Sequence, residues 1–148
     1  MCIRDSTSDE WIKSRTGISQ RRISGLSENV CEMGYKAALG ALEMAQWEIE
    51  TIDLIILATS TPNDLFGSAP EIQSKLGAIN AVAFDLTAAC SGFLFAIITA
   101  TQFLKGGSYK RAVVIGSDQL SSYVDWNDRR SCISVSYTHL TLPTILRV

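Results

Sequence analysis

The sequence predicts an α/β layered fold with a mostly parallel sheet and a buried central helix, and three observations carry that prediction. Short apolar runs recur at residues 54–58, 81–86 and 112–116, the pattern of strands covered on both faces. Stretches with the 3.6-residue period of helices lie between them, so strands and helices alternate in βαβ units. The third observation is the stretch from 81 to 105. Its apolar run passes through Thr87, Ala88, Ala89, Cys90, Ser91 and Gly92, then resumes from Phe93 to Leu104, apolar on every face. A helix apolar all round is buried on all sides.

Taken in order, the elements have local reasons. Thr7-Ser8-Asp9-Glu10 fits a capping box ahead of Trp11 and Ile12, and Gly17 is placed to end that short helix in a left-handed conformation. Residues 18–23 form a weak strand candidate. Lys13, Arg15, Arg21 and Arg22 could hold phosphate or form a solvated basic face. Val30, Met33, Ala37, Ala38, Ala41, Leu42 and Ala45 recur at helical spacing between 27 and 47. After the strand at 54–58, residues 59–67 form a loop containing Pro62. Ser68-Ala69-Pro70-Glu71 gives a second capping box with proline at the first helical position, and Gly77 closes that helix. Gly106 and Gly107 end the long apolar helix, and 112–116 is a further buried strand. Residues 117–133 lose periodicity and read as a functional loop.

The two ends stand apart. Residues 1–6 and 134–148 continue neither the alternation nor any helix or strand pattern, and both are similar to translated sequencing-adapter text. They are treated as non-native ends around a domain at 7–133 and left out of fold reasoning. His139 lies in the second of them and is not taken as a catalytic base.

Cys90 falls between a strand and a helix. The first turn of a helix has unpaired N–H groups and partial positive charge. A cysteine held there has a lowered thiol pKa and more nucleophilic thiolate. The same N–H groups can hold the oxyanion formed when a thioester is attacked. Small neighbours suit such a sharp turn, as in the strained serine turn of α/β hydrolases. Two plainer readings stand beside this one. A free cysteine in an apolar stretch commonly packs as a small hydrophobe. The uncharged run 86–104 is also close to the length of a membrane span. Against a span stand Thr87, Ser91, Gly92, Thr99, Thr101 and Gln102, and the strand-like run upstream.

Composition narrows the functional classes. With 148 residues, 47% hydrophobic and 19% charged, the chain can build one soluble domain with a real core. A net charge of −2 gives no electrostatic case for nucleic acid or an anionic membrane as partner. Cys2, Cys31, Cys90 and Cys132 form no CxxC pair, and no signal-peptide pattern opens the chain. They read as reduced cytosolic thiols. A single histidine leaves no histidine-based metal site, and no metal is expected.

The residues Thr7-Ser-Asp-Glu-Trp-Ile, Arg15-Thr-Gly-Ile, Met33-Gly, 69–77 with its Ile-Gln-Ser, Ala83-Phe-Asp, Ala88-Ala-Cys-Ser-Gly-Phe, Val114-Ile-Gly-Ser-Asp and Asp128-Arg are together similar to β-ketoacyl-acyl-carrier-protein synthase III. The resemblance runs from about residue 7 to 133. It implies the N-terminal half of a thiolase-like αβαβα layered fold and a homodimer in the cytoplasm, or in the plastid stroma of a eukaryote. It also implies an acyltransferase of fatty-acid biosynthesis that uses acyl-CoA and malonyl-acyl-carrier-protein as substrates and needs no cofactor. By residue match, Cys90 is the acyl acceptor. Trp11 and Arg129 flank the CoA adenine, Arg15 lines the CoA entrance, and Phe66 lies near the primer pocket at the dimer contact. Read without the family, Trp11 could anchor its helix in the core, Arg129 could be a surface charge, and Phe66 could pack within its loop.

The family's histidine and asparagine, which serve the decarboxylation, belong to its second half, which this sequence does not show. The strand expected before Thr7 and the glycine-rich segment expected after Ile133 are also missing. The chain is therefore expected to carry the nucleophile without the condensation machinery. Two alternatives remain at this point: another thiolase-superfamily condensing enzyme acting on other primers, or a non-catalytic fragment that only dimerises.

Overall fold

A computed structural model of the chain describes residues 8–20, 23–25, 27–125, 127 and the backbone of 142–147. The elements are helices α1 (Asp9–Thr16), α2 (Val30–Ala45), α3 (Ala69–Leu76) and α4 (Gly92–Lys105) and strands β1 (Leu54–Ala58), β2 (Val82–Leu86), β3 (Arg111–Gly116) and β4 (Leu142–Arg147). The sheet order is β2-β1-β3-β4, with the first three strands parallel and β4 antiparallel to β3. This is the α/β architecture expected of the sequence.

Strand periodicity explains the layers, because successive side chains point to opposite faces. Ile55 and Leu57 of β1, with Val113 and Ile115 of β3, pack against α2 and α3. Leu54, Ile56 and Ala58, with Ala112 and Val114, face α4. β1 is therefore covered on both sides, and all five of its residues are buried. The helix on the second face approaches closely because its contact residues Gly92, Ala96 and Ala100 are small.

Several expectations change. α4 buries only its sheet-facing side, whereas Leu94, Phe95 and Ile98 are 61%, 50% and 47% exposed. One layer packs on this helix among the described residues, so its outer apolar side is open. β2 also differs from the fully buried strand expected, because it sits at the sheet edge and its residues range from half-buried to exposed. Residues 18–20 and 23 form no strand, and 21 and 22 lie outside the described residues. Residues 142–147, read as patternless, supply β4. The open edge of β3 offers unpaired backbone groups to any extended segment, and Pro143 is tolerated because β4 is itself an edge strand.

Caps move by small steps. Ser8, not Thr7, caps α1, its hydroxyl accepting from Trp11 N–H at 3.1 Å. Pro70 is the second residue of α3, and Ser68 makes no side-chain cap there. Gly17 and Gly77 close α1 and α3 with φ of 73° and 75°, as their positions predicted. No helix among the described residues is long and apolar enough to cross a membrane.

Candidate functional site

Register aligns the carboxyl ends of three parallel strands: Ala58 pairs with Leu86 on one side and with Gly116 on the other. In parallel α/β sheets, ligands bind beyond these ends. The segments that follow, 59–68, 87–91 and 117–123, form one rim, and Cys90 lies on it.

The local path at Cys90 is a tight strand–turn–helix passage. Residues Ala89–Ser91 form a single 3-10 turn that runs directly into α4. Ala88 has φ −151° and ψ 38°, and Ala89 has a positive φ of 45°. The other positive-φ residue among the described non-glycines, Gln46, closes α2, where that conformation is routine. Ala89 closes no helix, and such backbone costs on the order of 1–3 kcal/mol unless its surroundings impose it. Small residues make room for the turn. A Cβ on Gly92 would meet Ala58 Cβ at 3.6 Å, and one on Gly116 would meet Phe93 Cδ2 at 3.1 Å.

The sulfur itself is accessible, since Cys90 is exposed. It stands one residue before Ser91, the N-cap of α4, and Ser91 places no side chain on the first-turn N–H groups. Cys31 is the opposite case. It is fully buried, its thiol donates to Ser68 O at 3.5 Å, and Asn63 Nδ2 donates to its sulfur at 3.1 Å. Burial foremost, then a hydrogen bond to the Glu71 carboxylate, pushes that thiol up to about 12. The protein thus holds one accessible and one sealed thiol among its described residues.

Two acids that drew no role from the sequence organise the rim. Asp118, just after β3, accepts on Oδ1 from Ser60 N–H at 2.6 Å and from the Thr59 and Thr61 hydroxyls at 3.3 Å each. Asp85 of β2 accepts from Ser68 N–H at 2.8 Å and Ala69 N–H at 2.7 Å. It therefore takes the place of a capping box at the start of α3. Both acids stand in motifs that mark the family resemblance; Asp85 is the penultimate residue of β2, and Asp118 lies two residues past the end of β3.

The remaining site residues are dispersed. Trp11 is half-buried on α1, a helix with no buried residue, so it is not a core anchor. The Arg15 guanidinium lies over the Trp11 ring at 5.9 Å. Arg129, expected to pair with Trp11, lies outside the described residues. Phe66 is 90% exposed beside a fully exposed Leu65, so it does not pack within its loop. No hydrogen bond, ion pair or ring contact joins Trp11, Arg15 or Phe66 to Cys90 among the described residues. Nor do they contain a cluster of three or more His, Cys, Asp or Glu able to hold a metal.

Comparison with known proteins follows the same residues. Residues 84–136 match the model of the 3-oxoacyl-[acyl-carrier-protein (ACP)] synthase III family. The chain is 95% identical over 127 residues to the β-ketoacyl-[acyl-carrier-protein] synthase III of Prochlorococcus marinus subsp. pastoris, covering 86% of this chain and 38% of that protein. The crystal structure of 3-oxoacyl-[acyl-carrier-protein] synthase III from Aquifex aeolicus is similar with a TM-score of 0.87 and 43% identity, over 96% of this chain and 46% of that one. The corresponding synthase of Pseudomonas aeruginosa gives 0.85 and 34%, over 96% and 44%. The chain spans about two fifths of the length of the curated relatives it matches.

Proposed function

Because the chain belongs to the β-ketoacyl-[acyl-carrier-protein] synthase III family, of whose members it represents a part, we propose that Cys90 is the acyl acceptor of an enzyme that starts fatty-acid synthesis. The Cys90 thiolate attacks the carbonyl carbon of acyl-CoA, the bond from that carbon to the CoA sulfur breaks, and CoA leaves as its thiol after taking a proton. Backbone N–H groups of the first helical turn are suited to the oxyanion formed on the way. Malonyl-carrier-protein then loses carbon dioxide, and the carbanion attacks the acyl-Cys90 carbonyl. The new carbon–carbon bond forms as the Cys90 thiolate is released. The observation that carries this reading is an accessible thiol on a strained turn at the carboxyl ends of three parallel strands.

Other roles follow from the family match. Trp11 and Arg129 flank the CoA adenine, Arg15 lines its entrance, and Phe66 meets the primer pocket across a homodimer contact. The open edge of β2 and the exposed Leu65 and Phe66 favour such a dimer. The setting is cytoplasmic, the partners are acyl-CoA and acyl carrier protein, and neither cofactor nor metal takes part. By itself the 148-residue chain, which spans about two fifths of the length of its curated relatives, accepts the acyl group without completing condensation. Incubating the chain with radiolabelled acetyl-CoA and malonyl-carrier-protein tests both parts. Label on Cys90, lost in Cys90→Ala, with no acetoacetyl-carrier-protein, is the expected result. Label that survives Cys90→Ala refutes the acceptor, and acetoacetyl product refutes the division of labour.

A further inference from the structure

We propose that Asp118 is a positioning residue for the Cys90 turn, acting through residues 59–61 on Thr87. The inference deepens the acyl-transfer reading and rests on it, since holding this turn matters only if the Cys90 sulfur is the acceptor.

Residues 59–61 close around a single carboxylate oxygen. Besides the three donors already on Asp118 Oδ1, Thr61 N–H donates to Thr59 Oγ1 at 3.1 Å, and Gln119 N–H donates to Thr61 Oγ1 at 2.8 Å. Thr59 and Thr61 are only 3% and 5% exposed, so water does not readily replace these bonds. A charged acceptor makes the stronger hydrogen bonds. The loop after β1 is therefore fixed to the end of β3.

That fixed loop in turn holds the Cys90 segment. Thr59 N–H donates to Leu86 O at 3.1 Å, and the Thr59 carbonyl accepts from Thr87 Oγ1 at 2.8 Å. The Thr87 hydroxyl makes the only side-chain hydrogen bond within 87–91 among the described residues. It acts two residues before Ala89, whose left-handed backbone persists only where its surroundings hold it. The path from Asp118 through Ser60 and Thr59 to Thr87 is thus the side-chain anchor of the passage that sets Cys90 ahead of α4. Without Asp118 the Thr59 carbonyl loses its fixed place, Thr87 loses its acceptor, and Ala89 is free to relax and carry the sulfur off the helix start.

The test is the iodoacetamide rate at Cys90 in the full chain, read by peptide mass spectrometry, with sealed Cys31 as a folding monitor in the same sample. Asp118→Ala and Thr87→Val are expected to slow Cys90 about tenfold, as the sulfur moves away from the first-turn N–H groups of α4, while Cys31 stays protected. Asp118→Asn falls between, and Thr87→Ser, which keeps the hydroxyl, restores the wild-type rate. A purely structural threonine would expose Cys31 in Thr87→Val as well as slow Cys90. An unchanged Cys90 rate in Asp118→Ala and Thr87→Val, with Cys31 protected and wild-type Cys90 fast, overturns the proposal. Should Asp118→Ala expose Cys31, the Thr87 pair decides alone. Wild-type Cys90 reacting no faster than N-acetylcysteine refutes the acyl-transfer reading, and the positioning role falls with it.

Discussion

Replacing Asp85 with alanine removes the acceptor for the first N–H groups of α3, and the loss can be sized from the structure. Its carboxylate takes Ser68 N–H at 2.8 Å and Ala69 N–H at 2.7 Å, one on each oxygen. Hydrogen bonds to a charged group contribute about 1.5–3 kcal/mol each, and single helix caps about 0.5–2 kcal/mol. Both N–H groups are partly buried, so we expect a net loss of about 2–4 kcal/mol, against a typical domain stability of about 5–15 kcal/mol. At a urea slope of about 2 kcal/mol per molar, the middle of the usual range, the denaturation midpoint falls by about 1–2 M. Asparagine is the sharper probe. Its amide offers one oxygen and turns an NH2 toward the second N–H, so Asp85→Asn should lose most of what Asp85→Ala loses. A stability for Asp85→Ala within about 0.5 kcal/mol of wild type, or an Asp85→Asn protein as stable as wild type, would refute the two-oxygen cap.

Cys31 makes stability depend on alkaline pH. Its folded pKa of about 12 lies above the ordinary value of 9.0, so the folded state keeps this proton after the unfolded state has lost it. Its contribution is complete below pH 9 and declines by about 1.4 kcal/mol per pH unit as pH rises from there toward 12. Urea midpoints across that window should show the decline, and Cys31→Ala should remove its share. An identical slope in the variant would contradict it. At Gly34, an added Cβ would meet Ile72 Cδ1 at 2.6 Å. Gly34→Ala gains about 1 kcal/mol of helix propensity and costs about 1–3 kcal/mol in overpacking, so it should destabilise the wild type. In an Ile72→Val background, which lacks that methyl, it should stabilise. Equal effects in a double-mutant cycle would rule out the contact as cause.

The strands were legible because a covered strand shows as an unbroken apolar run, and 54–58 and 112–116 are covered. The same signal misled at residues 82–86, where an edge strand carries an apolar run broken only by Asp85. Phe93 to Leu104 read as enclosed on every side. The sheet covers only the Gly92, Ala96, Ala100 and Leu104 side, so the run describes what the helix needs covered and not what covers it here. The turn at Cys90 was legible through its small residues, which leave room for a sharp passage. Ala89 as its left-handed residue was not, because nothing about alanine advertises positive φ. Asp85 and Asp118 were opaque for a simpler reason: an acid at the end of a strand looks like a solvated charge until the N–H groups it accepts from are in place.

The account rests on two thiols in one chain being made different by their surroundings. Alkylation of native protein by iodoacetamide near neutral pH, resolved by peptide, measures both at once. Cys90 should react faster than N-acetylcysteine, by about tenfold, while Cys31 stays unmodified until urea unfolds the chain. Equal rates at the two cysteines, or a Cys90 no faster than the free thiol, would contradict the claim that the turn before α4 presents a nucleophile.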